Sequence, residues 1–169
     1  MGKIRSTLDI VMERTRDMSM SREDKDRLKE KELADEARAW AQKYLDGKAT
    51  WKDIRTRLDS AREDGPRLSA LLKTELVSNV RLGRDNSRLV DALDGLSGAG
   101  RDRISGLISD HEKELGVRMA RHLELLRLQL EAGGIRGSSV TPNAEKDPSW
   151  HNAASEVEEH LRARLADIL

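Results

Sequence analysis

Apolar residues recur every three or four positions along the segment from Ile104 to Leu130. This spacing places them on one face of a helix. Leu126, Leu128 and Leu130 also alternate with polar residues, as in a strand, but the helical spacing extends far upstream and leucine favours helices. The sequence therefore predicts one long helix from about Arg101 to Ala132. Its apolar stripe comprises Ile104, Leu107, Ile108, Leu115, Met119, Leu123, Leu126 and Leu130.

The end of this predicted helix, HLELLRLQLE at residues 122–131, carries more leucines than one stripe needs. Leu125 and Leu128 point away from the stripe by roughly a third of a turn or more, so this end is apolar over more than half of its circumference. Monomeric helices seldom expose such a surface. Either the following loop and last helix cover it, or a second copy of the chain does. We expect self-association, with a dimer favoured, through Leu123, Leu125, Leu126, Leu128, Leu130, Trp150, Leu161 and Leu165.

The composition favours helices throughout the chain. Charged residues make up 37% of the 169 residues and are balanced, 31 basic against 31 acidic, while aromatic residues make up 2%. Sheets draw on aromatic and β-branched side chains, which are scarce here. The sequence predicts an all-α bundle of about five to six helices in one domain, two of them long. Disulfides and zinc-thiolate sites are excluded because cysteine is absent.

Cap and breaker residues divide the N-terminal part of the chain. The apolar spacing predicts helices over residues 4–18, 21–47 and 50–65, with proline interrupting the last of these at Gly65-Pro66. A further helical segment runs over residues 66–93 and can bend or break at Gly83. The glycines of GLSGAG, residues 95–100, form an interhelical turn, since a phosphate loop needs a following Lys-Ser/Thr or a preceding strand.

The C-terminal part combines a loop with an amphipathic helix. Residues 133–147 have the glycine, serine and proline content of a loop, which is either a mobile linker or folds on another surface. Asp147 and Pro148 then supply a cap and a first-turn proline for a last helix. We therefore expect a helical bundle over residues 1–132 and a docking helix over 148–169, within one domain overall.

No segment has the roughly 18 apolar residues needed to cross a bilayer. Near the N-terminus, Asp9 and Glu13 stand where a signal peptide would need an apolar run. We expect a cytoplasmic protein without a membrane partner.

The histidines offer helical metal-ligand spacing only in pairs. His111 with Glu114, and Glu156 with His160, each supply two ligands, whereas about three or more are normal. Acidic residues on such charged helices most often solvate a face, and no pair of carboxylates has the apolar or glycine-rich context that raises a pKa. We therefore predict no metal, no cofactor and no catalytic residue. An enzyme would need a deep polar pocket between the helices.

Three arginines indicate a second class of function. Arg81, Arg84 and Arg88 lie at i, i+3 and i+7, a spacing that could contact successive phosphates on a helical face. Asp85 interrupts the stripe and no aromatic residue interleaves it for base stacking. A solvated or acid-paired face is the favoured interpretation, with the acidic last helix as an obvious partner, and a small nucleic-acid-associated regulator is the alternative function.

The N-terminal segment IRSTLDIVMERT, followed by Met-Ser-Met-Ser, resembles the start of small conserved bacterial proteins of unknown function. The resemblance covers about the first twenty residues. It implies a bacterial cytoplasmic protein and transfers no site residues.

Overall fold

The computed structural model describes residues 21–137 and 140–169, and within them the chain is all-α, as predicted. The helix predicted over residues 4–18 and the resemblance at the N-terminus lie outside the described residues. Six α-helices are found in the described ranges: α1 (Arg22–Leu45), α2 (Trp51–Ser60), α3 (Gly65–Ser78), α4 (Ser87–Ser97), α5 (Arg101–Ala132) and α6 (Pro148–Ile168).

The first two of these helices begin at capping boxes. Ser21 accepts a hydrogen bond from the backbone N–H of Asp24, whose carboxylate accepts in return from the Ser21 backbone. Thr50 and Asp53 form the same arrangement at the start of α2. Each box satisfies backbone donors that a helix N-terminus leaves without partners. The predicted starts are therefore confirmed, and the first turns of α1, which are rich in charged residues, are exposed.

The segment predicted over residues 66–93 is two helices separated by residues 79–86. Gly83 has a φ of +73°, a backbone conformation that glycine adopts without steric cost. The Asn86 side chain is buried, donates to the carbonyls of Arg81 and Arg84, and accepts from the Arg81 backbone N–H. These bonds close the turn that precedes α4.

Two other boundaries differ from the predicted ones. α2 ends at Ser60, and a short 3₁₀ helix, Arg62–Asp64, precedes α3. α4 continues to Ser97, three residues into GLSGAG, so only the rest of that segment forms the turn before α5.

One apolar core draws on all six helices. Ile54, Leu93 and Ile104 come from α2, α4 and α5 and are at most 1% exposed. Leu161 and Leu165 of α6 belong to the same cluster, so the last helix is part of the domain core. The remaining buried members of this core are Leu33, Ala37, Ala41, Tyr44, Leu68, Leu72, Leu76, Val77, Val80, Leu89, Val90, Ala92 and Ile108.

α5 and α6 form an antiparallel hairpin. α5 ends in a Schellman motif, in which the N–H of Ile135 donates to the Leu130 carbonyl and the N–H of Gly134, with φ +85°, donates to that of Glu131. The chain returns through a 3₁₀ turn, Ala144–Lys146, to Asp147, whose carboxylate accepts from the Ser149 N–H at the start of α6.

Among the described residues, no helix is both long enough and apolar enough to pass through a bilayer.

Candidate functional site

The distal half of α5, beyond His111, contributes no buried residue. Leu125 and Leu128 are 59% and 52% exposed, and Val117, two to three turns earlier, is 52% exposed. Leu123, Leu126 and Leu130 are half-buried. The excess leucine surface predicted from the sequence is therefore present in the folded chain.

The returning loop covers one side of this half-helix and leaves the other open. The Nε2 atom of His122 lies 3.2 Å from a carboxylate oxygen of Asp147, which places the start of α6 beside the middle of the distal half. Ala144 is buried and its 3₁₀ turn packs on α5. Within residues 21–137 and 140–169, the loop and last helix do not cover Leu125 or Leu128.

The exposed side chains form a regular seam along α5. Val117, Arg121, Glu124 and Leu128 follow one another at steps of four, three and four residues, so they occupy one face. All four are exposed, and Leu125 lies beside them. Neither Arg121 nor Glu124 forms an ion pair with any side chain that the structure describes. We call the four residues the α5 seam.

The other residues predicted for self-association lie inside the chain. Trp150 is 7% exposed, and its indole lies beside the imidazole of His122, with ring centroids 5.7 Å apart. Leu161 and Leu165 are in the core. These three side chains would contact a second copy only if the two copies exchanged α6.

The arginines do not form the helical stripe predicted for nucleic acid, because the chain breaks between α3 and α4. Arg81 donates to the carbonyls of Ser78 and Val80, and the Arg88 guanidinium lies 4.9 Å from the ring centroid of Tyr44. Arg84 lines an open groove of about 520 Å³ together with Glu112 and Trp150. The expected pairing of this stripe with α6 is not found among the ion pairs of the described residues.

The two histidine pairs considered separately in the sequence meet between α5 and α6. Nε2 of His111 lies 3.3 Å from Nδ1 of His160, and ligand atoms of His111, Glu114 and His160 all lie within 4.8 Å of one another. Arg118 donates twice to Glu114 and lies 3.5 Å from Glu156, which precedes His160 by one turn. The two histidines of this cluster are 49 positions apart in sequence, so local spacing contained no signal that would unite them.

The His111 side chain is held in one orientation. It is 6% exposed, and its Nδ1 atom lies 2.8 Å from the Leu107 carbonyl oxygen, one helical turn back. Glu114 is half-buried and His160 is exposed, so the cluster extends from the core boundary to the surface.

No family model matches this sequence, and no curated protein and no solved structure matches it significantly.

Proposed function

We propose that this protein is a non-enzymatic interaction protein that self-associates through the α5 seam. The observation that carries the proposal is the exposure of Leu125 and Leu128 beside a returning loop that leaves them uncovered. An apolar face of this kind on a charged helix is typical of a surface that another molecule covers. A second copy of the same chain fits because the seam is complementary to itself.

The self-complementarity depends on an antiparallel arrangement. A two-fold axis between His122 and Leu123 places Val117 of one copy against Leu128 of the other. It also places Arg121 of one copy against Glu124 of the other, so that two ion pairs form by symmetry. A parallel arrangement would instead place Arg121 against Arg121 of the other copy, and Glu124 against Glu124. The charges therefore favour the antiparallel dimer.

The energy of this interface is modest. Each of the three exposed apolar side chains per copy already has about half of its surface covered, so it contributes on the order of 1 kcal/mol when buried. Six such side chains per dimer bury little apolar surface compared with a stable interface, and association itself costs translational and rotational freedom. We therefore expect a weak, reversible dimer that is populated only at high protein concentration.

Sedimentation velocity over a concentration series of about 1–500 µM tests the association. The wild-type protein should sediment as a monomer at the low end and increasingly as a dimer at the high end. Leu128→Glu removes two buried leucines per dimer and introduces two buried charges, so it should weaken dimerisation at least about thirtyfold. Leu28→Glu is the matched control, since Leu28 is an exposed leucine of α1, 46% exposed, outside the seam.

A strict monomer at every concentration contradicts the proposal. So does equal weakening by Leu28→Glu and Leu128→Glu. If Leu128→Glu lowers the folding stability of a strictly monomeric wild type, the covering surface belongs to the same chain and not to a second copy.

Charge reversal tests the antiparallel register. Arg121→Glu alone places acids opposite acids, and Glu124→Arg alone places bases opposite bases, so each variant should dimerise about tenfold less tightly. Mixed together, the two variants should form a heterodimer, because the acids of one copy then face the bases of the other at both positions. Failure of the mixture to associate more strongly than either variant alone would contradict this register.

A further inference from the structure

The structure assigns a second capacity to the α5–α6 hairpin: His111, Glu114 and His160 bind one divalent transition-metal ion, of which Zn²⁺ fits the donors best. Two imidazole nitrogens and one carboxylate form a three-ligand set that leaves a fourth position for water. Imidazole suits zinc, copper, nickel and iron, while the absence of thiolates excludes a structural cysteine site. The capacity does not depend on the proposed dimer.

The orientation of His111 is the first support. Its Nδ1 atom lies within hydrogen-bonding distance of the Leu107 carbonyl oxygen, which can only accept, so Nδ1 carries the hydrogen. In the neutral imidazole, Nε2 then presents its lone pair toward His160. A backbone carbonyl that fixes the tautomer in this way is a common outer-sphere partner of metal-binding histidines.

The distance between the two histidines is the second support. A tetrahedral zinc ion with Zn–N bonds of about 2.0–2.1 Å holds its two nitrogen ligands about 3.3–3.4 Å apart. Nε2 of His111 and Nδ1 of His160 are 3.3 Å apart. The ring planes are tilted by 49° and are not stacked. The observed separation of the two nitrogens therefore matches the one that a single tetrahedral ion would impose.

Glu114 completes the set from the same face of α5. Its Oε1 atom accepts from the Nε and one terminal nitrogen of Arg118, at 3.1 and 2.7 Å. Arg118 also approaches Glu156, at 3.5 Å, so it holds two carboxylates beside the histidines. Hydrogen bonds of this kind orient ligating carboxylates. Because His160 is exposed, an ion can enter from solvent.

The 3.3 Å separation is also compatible with a hydrogen bond in which His160 donates to His111. The two arrangements differ in consequence. A hydrogen-bonded pair would bind zinc no better than any surface histidine, whereas the cluster would take up one ion per chain. Only the second links α5 and α6 through a metal.

Calorimetric titration with Zn²⁺ alone, on the full chain, tests the proposal. Wild type should bind one ion per chain, and binding should raise the midpoint of thermal unfolding because the ion binds only the folded arrangement. His160→Gln and Glu114→Gln should each weaken binding about tenfold or more. His160 is exposed and Glu114 half-buried, so the variants should fold, which a thermal melt without metal checks.

Two control variants match the ligand variants in residue type, and His151 also matches His160 in exposure. His151→Gln changes another exposed histidine of α6, and Glu159→Gln an exposed glutamate next to the cluster. Both should bind zinc as wild type does. Absence of saturable binding in wild type overturns the proposal, and so does equal loss in His160→Gln and His151→Gln.

Leu128→Glu separates the test of the metal site from the test of the dimer. Leu128→Glu should keep the zinc stoichiometry and affinity of wild type, while His160→Gln should keep the wild-type sedimentation behaviour without metal. Either proposal can therefore fail while the other stands.

Discussion

At the scale of single residues, Gly95 of α4 is the glycine, among those described, where an added Cβ atom would lie closest to a neighbouring side chain. A Cβ atom at this position would lie 2.5 Å from Cζ2 of Trp51, well inside van der Waals contact. We predict that Gly95→Ala lowers the free energy of unfolding by about 1–3 kcal/mol, because the indole has to move and repack. Urea denaturation with tryptophan fluorescence measures both the stability and the change around Trp51.

Gly106→Ala is the matched control for this prediction. Gly106 lies within α5, and a Cβ there would meet nothing within 4 Å. Alanine should therefore stabilise the helix at this position by about 0.5–1 kcal/mol, since glycine loses more backbone entropy on folding. Equal stability of the two variants would show that Trp51 does not constrain residue 95.

The contact of Gly95 shows why some residue roles are not visible in sequence. The motif GLSGAG indicates a turn, and the later glycines do form one, but Gly95 lies inside a helix beside a tryptophan 44 positions earlier in the chain. His111 and His160 are a second case. Each has one neighbour at ligand spacing on its own helix, and only the packing of α6 on α5 brings the pairs together.

At the scale of helices, local signals predicted most starts and stops. Ser21, Thr50 and Asp147 cap the helices expected to begin after them, and the Arg101–Ala132 helix has the predicted bounds. Capping is decided within one turn of chain, so the sequence contains the necessary information. The separation of α3 from α4 also depends on the buried Asn86 side chain, which donates to the carbonyls of Arg81 and Arg84. Apolar spacing does not predict this contact.

The capping box of α2 predicts a pH dependence. The backbone N–H and hydroxyl of Thr50 donate to the Asp53 carboxylate and hold the pKa of Asp53 below its usual 3.8. A carboxyl group with a pKa depressed in the folded state stabilises the protein above the unfolded pKa, and this contribution disappears as the pH falls through the folded pKa. Lowering the pH from neutral to below the pKa of Asp53 in the folded protein should therefore remove the stability that the capping box contributes.

Asp53→Asn tests this assignment. The variant should be less stable than wild type at neutral pH, and the difference should shrink as the pH falls through the folded pKa of Asp53. Thermal unfolding of both proteins across this range is the measurement. A difference that stays constant with pH would mean that the charge of Asp53 contributes nothing to the cap.

At the scale of the whole molecule, the leucine pattern predicted an apolar surplus on α5 but not which side of the helix stays open. The periodicity of Leu125 and Leu128 identifies residues outside the main stripe. Their exposure follows from the path of the returning loop, which runs along the opposite side and meets His122 through Asp147. Loop paths depend on tertiary contacts, so the alternatives of internal cover and a second copy could not be separated in sequence.

The unequal burial along α5 predicts how the molecule opens. Ile104, Ile108 and His111 anchor the first part of the helix, while residues 112–132 include no buried side chain. Amide hydrogens of the distal half should therefore exchange faster in dilute solution than those near Ile104 and Ile108, because opening there disrupts fewer buried contacts. Hydrogen–deuterium exchange with peptide-level mass spectrometry resolves the two regions.

The same measurement connects opening to self-association. If the α5 seam pairs with a second copy, raising the protein concentration should slow exchange in the distal half, by about tenfold when the free concentration is ten times the dissociation constant. The segment around Ile104 and Ile108 should change less, since its amides are already protected by the core. Leu128→Glu should remove the concentration dependence and keep the difference between the two halves. Uniform protection along α5 in dilute wild type would contradict the unequal burial. A difference in exchange between the two halves that does not change with protein concentration would contradict pairing through the α5 seam.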